Sequence, residues 1–281
     1  MLKFPIQTSF ALFLLLFRIY FNMKKEYILF IDSGIGGLST LAEAKKHVKA
    51  NYIYFADALN APYGKHTKKE LLVFLKKIID ETIKHYKVKV VVLACNTATT
   101  SCISSLRECY PNLKFVGTEP AIKLAALSHK RILALTTPTT AKQHKFLLLK
   151  HNANAKICTL AIFDLAKNIE QHLTSATFLS RMNLLKNLYF ISHEAAKHEA
   201  LVLGCTHYVF IESFLKKTAK KPCYSGNLGV AKQLKRLANT ENIRVFEHSS
   251  VLFFCSISSK TANQNYKKIL SQILAKLENV C

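Results

Sequence analysis

Val90-Val91-Val92-Leu93-Ala94-Cys95-Asn96-Thr97 and Ala200-Leu201-Val202-Leu203-Gly204-Cys205-Thr206-His207 share one pattern: an apolar run, a small residue, a cysteine, then hydrogen-bonding side chains. Such an apolar run reads as a strand buried on both faces. The echo continues upstream, where Ile28–Asp32 and Ile132–Thr136 are each an apolar run ending in a polar residue, at similar intervals before the two cysteines. The repeat predicts two related halves, each delivering a thiol from the carboxyl end of a strand. Ligands of open α/β sheets bind beyond those strand ends, so two facing halves would enclose a cleft between the thiols.

Outward from these stretches, short aliphatic runs alternate with longer amphipathic segments rich in Lys and Glu, the signature of a parallel sheet covered by helices. The fold class is α/β. Strands are expected at Tyr27–Ile31, Tyr52–Ala56, Val88–Ala94, Lys114–Val116, Arg131–Leu135, Lys156–Leu160, Ala200–Leu203 and Ile243–Phe246. Helices are expected at Leu38–Lys49, Lys68–Tyr86, Thr97–Cys109 and Ile211–Lys217.

At 281 residues and 50% hydrophobic, the chain can fill two buried cores and is neither disordered nor fibrous. Its eight cysteines are scattered and form no C-x-x-C pair, so they read as reduced thiols in a cytoplasmic protein. Cys102 and Cys109 follow Cys95 at helical spacing and are expected in the core.

The formal charge of +23 raises a nucleic-acid reading, since basic surfaces gain by releasing phosphate counterions. The detail opposes it. Arginines number six of 40 basic residues, whereas nucleic-acid sites favour the guanidinium fork, and no aromatic-interleaved basic motif accompanies the lysine-rich stretches. A solvated lysine-rich surface is the better reading, and its field would draw in a small dianion.

The apolar run Phe10–Phe17 ends at Arg18 after eight residues, too short to span a bilayer, and no small-x-small cleavage site follows. Residues 1–22 read as an extension outside the fold, with Met23 an alternative start.

Asp32-Ser33-Gly34-Ile35-Gly36-Gly37 leaves a strand and opens a helix, and its three glycines would let backbone approach an anion at the helix N-terminus. A tight turn with Asp32 or Ser33 as helix cap would explain the glycines but not the acid and hydroxyl together. Their spacing is not G-x-G-x-x-G, which disfavours a dinucleotide. Pro62-Tyr63-Gly64 follows the strand end at Asp57 and so belongs to a loop on the same rim.

A lone buried cysteine is ordinarily inert core. Two in equivalent positions, each flanked by polar groups, point to chemistry. Cys205-x-His207 could ligate a metal, but the other spacings fit no structural zinc pattern. Racemisation suits two thiols, because it needs a base on one face of a carbon acid and an acid on the other. One must be thiolate and its partner thiol. Lowering one thiol pKa toward neutrality lies within the reach of helix N-termini and hydrogen bonds. At a separation of roughly 7 Å and an effective dielectric of about 20, two thiolates would repel by about 2.4 kcal/mol, which favours the singly protonated pair.

Five motifs in order, DSGIGG at 32–37, FADALNAPYG at 55–64, ACNTA at 94–98, GTEPA at 117–121 and LGCTHY at 203–208, resemble the motif series of glutamate racemase. They cover Tyr27 to Tyr208. The resemblance implies two Rossmann-like, doubly wound domains in pseudo-twofold relation with the active site between them. Their expected extents are residues 23–117 with 230–281, and 118–229. It implies no cofactor and no metal, with Cys95 deprotonating D-glutamate and Cys205 deprotonating L-glutamate. Asp32, Ser33, Tyr63, Gly64, Asn96, Thr97, Thr206 and His207 would bind the substrate, Asp32 and His207 would assist the thiols, and Glu170 is a candidate assisting acid. The implied protein is a cytoplasmic homodimer supplying D-glutamate for peptidoglycan, without specific nucleic-acid or membrane partners.

The chain departs from the family at Val209, where proline is usual, and in its leader. Aspartate racemases resemble it too, but carry Glu at the position of His207, which favours glutamate. A basic binding protein on an old racemase fold is the reading of a different class, and retention of both thiols with their polar neighbours opposes it.

Overall fold

The structure is a computed structural model and describes residues 25–175, 177–241, 243 and 249–279. The extension 1–22 lies outside them. Among the described residues, nine strands form two sheets: β1 (Glu26–Asp32), β2 (Asn51–Ala56), β3 (Lys87–Leu93), β4 (Lys114–Gly117), β5 (Arg131–Thr136), β6 (Lys156–Ala161), β7 (Ala200–Leu203), β8 (Cys223–Ser225) and β9 (Ser250–Cys255). The first sheet has the order β4-β3-β1-β2-β9 and the second β6-β5-β7-β8. Every pairing is parallel.

Apart from β9 the two orders are identical: each half places its first strand between its second and third, with the fourth outside the third. The chain therefore reverses direction beside β1 and beside β5, opening a crevice at the carboxyl ends of the flanking strands. The repeat legible at Cys95 and Cys205 is this repeat of topology, since each cysteine follows the third strand of its half. Registers align the rims: Asp32 pairs with Ala56 and Ile31 with Leu93, while Thr136 pairs with Ala161 and Leu135 with Leu203. Asp32, Asp57 and Cys95 thus leave one rim, and Thr136 and Cys205 leave the other.

Strand faces follow the period of two. Ile28 and Phe30 of β1 join one core cluster, and Tyr27, Leu29 and Ile31 join the cluster on the opposite face. In β5, Leu133 and Leu135 face one cluster and Ile132 and Ala134 the other. Burial on both faces explains why these strands read as continuous apolar runs; each large side chain so buried contributes roughly 1.5–3 kcal/mol. The helix Lys68–His85 starts at a capping box, in which Thr67 accepts from the Glu70 N–H and the Glu70 carboxylate accepts from the Thr67 N–H.

Two expectations need correction. The strand beside β2 is β9, whereas the expected strand Ile243–Phe246 falls largely outside the described residues, and Ile243 itself is not in a strand. Cys102 is buried as expected, but Cys109 is exposed. It is the last residue of the helix Asn96–Cys109, in an exposed turn with Arg107 and Glu108, so helical phase alone does not bury it.

Candidate active site

Between the two rims lies a cavity of about 310 Å³. Its lining includes both cysteines with Ser33, Tyr63, Gly64, Thr97, Glu170, Thr206 and His207. Nine of the residues singled out from sequence therefore meet in one place, drawn from both halves of the chain. Asp32 and Asn96 stand behind this lining. Asp32 is fully buried and accepts from the Ser33 hydroxyl at 3.2 Å, the Gly34 N–H at 3.3 Å and the Thr206 hydroxyl at 3.2 Å. Asn96 is buried with its amide Nδ2 lacking a protein partner, an uncommon state for a buried donor.

Cys95 directly precedes the helix Asn96–Cys109, so its sulfur lies by the free N–H groups of the first turn, those of Thr97 and Ala98. These N–H groups lower the thiol pKa as expected but do not decide it. Burial, with the nearby charges of Asp32 and Cys205 adding to it, holds Cys95 well above the ordinary thiol range despite the two N–H donors. This environment favours the thiol form of Cys95.

Cys205 has a different neighbour. Its Sγ lies 3.9 Å from Nδ1 of His207, whose Nε2 lies 2.8 Å from Oε2 of Glu170. Burial alone would depress the imidazole, but hydrogen bonds and charge from Cys205 and Glu170 outweigh it and hold His207 well above the usual histidine range. Burial likewise pushes Glu170 up, but donation from His207, Tyr266 and the Ile35 N–H outweighs it and holds the carboxyl below its usual range. Glu170 and His207 thus form a carboxylate–imidazolium pair beside Cys205, with His207 buried and Glu170 partly exposed to the cavity. Asp32, by contrast, is pushed up by burial to about 6, with His207, Gly34 and Thr206 opposing.

The glycines of the first loop turn out to serve packing. None has positive φ. A Cβ on Gly34 would strike the Glu170 carboxylate, and one on Gly36 would strike His207 and Thr206. The anion that the loop was expected to approach is, in part, the protein's own Glu170.

Tyr63 donates its hydroxyl to Asp57 at 2.9 Å, so toward the cavity it offers only acceptor capacity. Sequence reasoning missed Thr137, Lys65, Lys167 and Gln171 in the lining, Thr140, which meets Thr97 at 3.3 Å, and Tyr266, which donates to Glu170 Oε1 at 2.7 Å. The run Thr136–Thr140 was visible as a hydroxyl-rich loop after β5, and its rim position was the available signal. Among the described residues no group of three or more His, Cys, Asp or Glu is arranged to hold a metal ion, and no helix is long and apolar enough to cross a membrane.

No protein-family model matches the chain. A glutamate racemase of Clostridium botulinum (strain Alaska E43) is 37% identical over 229 residues, covering 79% of this chain and 87% of the relative. The chain belongs to the glutamate racemase family. A glutamate racemase of Clostridium acetobutylicum is 36% identical over 221 residues, covering 76% of this chain and 85% of its own. The fold agrees with this membership: the Escherichia coli glutamate racemase, solved in complex with L-glutamate and the activator UDP-MurNAc-Ala, aligns with a TM-score of 0.72 at 22% identity, over 90% of this chain and 95% of that one.

Proposed function

We propose that this chain interconverts L- and D-glutamate without a cofactor, using Cys95 and Cys205 as acid and base on opposite faces of the α-carbon. The observation that carries the reading is the placement of both thiols, each after the third strand of its half, in the lining of one cavity. A thiolate removes the α-proton, leaving a carbanion delocalised into the α-carboxylate, and the opposite thiol delivers its proton to the other face. One C–H bond breaks and one forms, so the enzyme finishes with the two protonation states exchanged.

The environments of the thiols support a resting state. With the His207 ring 3.9 Å from the Cys205 sulfur and Cys95 buried beside Asp32, Cys205 is assigned as the base of that state and Cys95 as the acid. In that state Cys205 takes the proton of L-glutamate and Cys95 supplies the new one; the reverse assignment serves D-glutamate. The hydroxyls of Ser33, Thr97 and Thr206, the unpartnered Asn96 amide and the Gly64 backbone are the groups suited to the substrate's carboxylates. Preorganised donors aimed at developing carboxylate charge are a large source of stabilisation in such reactions. The Tyr63 oxygen and Asp32 are suited to its ammonium group, and Lys65 and Lys167 add positive charge at the cavity wall.

On the same reading, residues 23–117 with 230–281 and residues 118–229 are the two domains, and the protein is a cytoplasmic homodimer supplying D-glutamate for peptidoglycan. Circular dichroism of D- and L-glutamate beside D- and L-aspartate, with no cofactor added, tests the activity. Glutamate should lose its optical signal from either enantiomer; inert glutamate, or equal or better turnover of aspartate, would overturn the substrate assignment.

A further inference from the structure

We infer that Tyr266 is a positioning residue for the Cys205 half of the reaction: from the helix Lys260–Asn279 it fixes Glu170, and through Glu170 the His207 ring that faces the thiol. This deepens the two-thiol reading and rests on it. Four side chains form an unbroken series, with Tyr266 OH 2.7 Å from Glu170 Oε1, Glu170 Oε2 2.8 Å from His207 Nε2, and His207 Nδ1 3.9 Å from Cys205 Sγ.

The series crosses between the two sheets. Glu170 lies on the helix Leu165–Ser175, and His207 follows β7 of the second sheet. Tyr266 packs against the core of the first sheet, on a helix that buries Leu270, Ile273 and Leu274 there. The start of that helix is tied down by Asn263, whose amide donates to the carbonyls of Cys255 and Ile257 just at and beyond the end of β9. Tyr266 therefore reports the position of the first sheet to a residue of the second.

A carboxylate held through one oxygen can swing; one held through both is fixed in plane and direction. His207 occupies Oε2, Tyr266 occupies Oε1, and the Ile35 N–H adds a donor from the loop whose Gly34 leaves room for the carboxylate. Removing the Tyr266 hydroxyl frees Oε1 and lets Glu170, and the ring it orients, depart from the geometry that serves Cys205. Groups that fix a reacting partner in this manner are required even though they never touch the substrate. The titratable groups facing Glu170 are His207 from the second sheet, Asp32 and Tyr54 from the first, and Tyr266 from the C-terminal helix. Burial keeps the Tyr266 phenol far above its ordinary range, so it remains a neutral donor throughout the working pH range.

The test compares wild type, Tyr266→Phe, Glu170→Gln and the double variant with α-deuterated L- and D-glutamate over a range of pH. Tyr266→Phe keeps the ring, and kcat/KM should fall about tenfold. The deuterium isotope effect should grow with L-glutamate, whose proton goes to Cys205, and shrink with D-glutamate, whose proton goes to Cys95. Having lost a donor, Glu170 should protonate more readily, moving the acid limb of kcat/KM to higher pH. On the Glu170→Gln background the tyrosine substitution should have no further effect. Activity within twofold of wild type, isotope effects that change equally for both enantiomers, additive losses in the double variant, or a Tyr266→Phe chain that no longer folds would each overturn the inference. Wild-type protein inert toward glutamate would remove the two-thiol reading and this inference together, whereas active wild type with an indifferent Tyr266→Phe removes the inference alone.

Discussion

Nε2 of His207 lies 2.8 Å from Oε2 of Glu170, with His207 buried and Glu170 partly exposed in the cavity lining beside Cys205. His207→Gln keeps a polar side chain but removes the cation beside the sulfur. It should lower kcat/KM by about 100-fold, the scale of a lost acid–base partner. Because two enantiomers have an equilibrium constant of one, the loss must be equal in both directions, which polarimetry from each enantiomer checks.

Asp32 gives a pH-dependent prediction. Its carboxyl is raised in the folded protein to about 6. A group whose folded pKa is raised contributes stability below its unfolded pKa and loses it as pH rises through the folded value. The ionised, buried Asp32 therefore costs the fold about 2–3 kcal/mol above pH about 6. Asp32→Asn should be more stable than wild type by about 2 kcal/mol at pH 8, the difference vanishing below pH about 4, while racemisation falls sharply. Urea unfolding at the two pH values measures it; equal stability at pH 8 would contradict the penalty.

Gly34 and Gly36 are predicted to matter for activity more than for folding. Gly34→Ala puts a methyl group against Glu170, and Gly36→Ala puts one against His207 and Thr206. Both backbones have φ that alanine tolerates. Each variant should melt close to wild type yet lose at least tenfold in kcat/KM, since a displacement of about 1 Å at a positioned group can cost about 100-fold.

The core of the first sheet is exposed to a simpler test. Phe30 is fully buried on β1. Phe30→Ala should cost about 3–5 kcal/mol in urea unfolding, by lost transfer energy and the cavity left behind.

What the sequence made legible, and what it did not, follows from the range of the interactions involved. The strands through Cys95 and Cys205 were legible because burial on both faces leaves an unbroken apolar run, and the repeat placed both thiols at strand ends. Ser33, Tyr63, Gly64, Thr97 and Thr206 came with the motifs on the same rims. Tyr266 carried no local signal: its partner Glu170 is 96 residues away, and a tyrosine on an amphipathic helix reads as core. Glu170 was visible only through family likeness, because a single Glu on an amphipathic helix reads locally as a solvated face. The raised pKa of Cys95 was also hidden, since burial of the sulfur beside Asp32 is a property of the assembled cleft. Strand β8 escaped notice because its three residues, Cys223–Ser225, are half-buried and too short to show a pattern.

The central claim is that Cys95 and Cys205 each serve one face of the α-carbon, and the most direct measurement is loss of the α-proton signal by NMR in heavy water. Folded Cys205→Ala should exchange the α-proton of D-glutamate but not of L-glutamate, and Cys95→Ala the α-proton of L-glutamate but not of D-glutamate, with neither variant interconverting the enantiomers. Exchange can be slow, because groups that act as a unit are not additive when one is deleted. Near-normal racemisation by either variant would contradict the account.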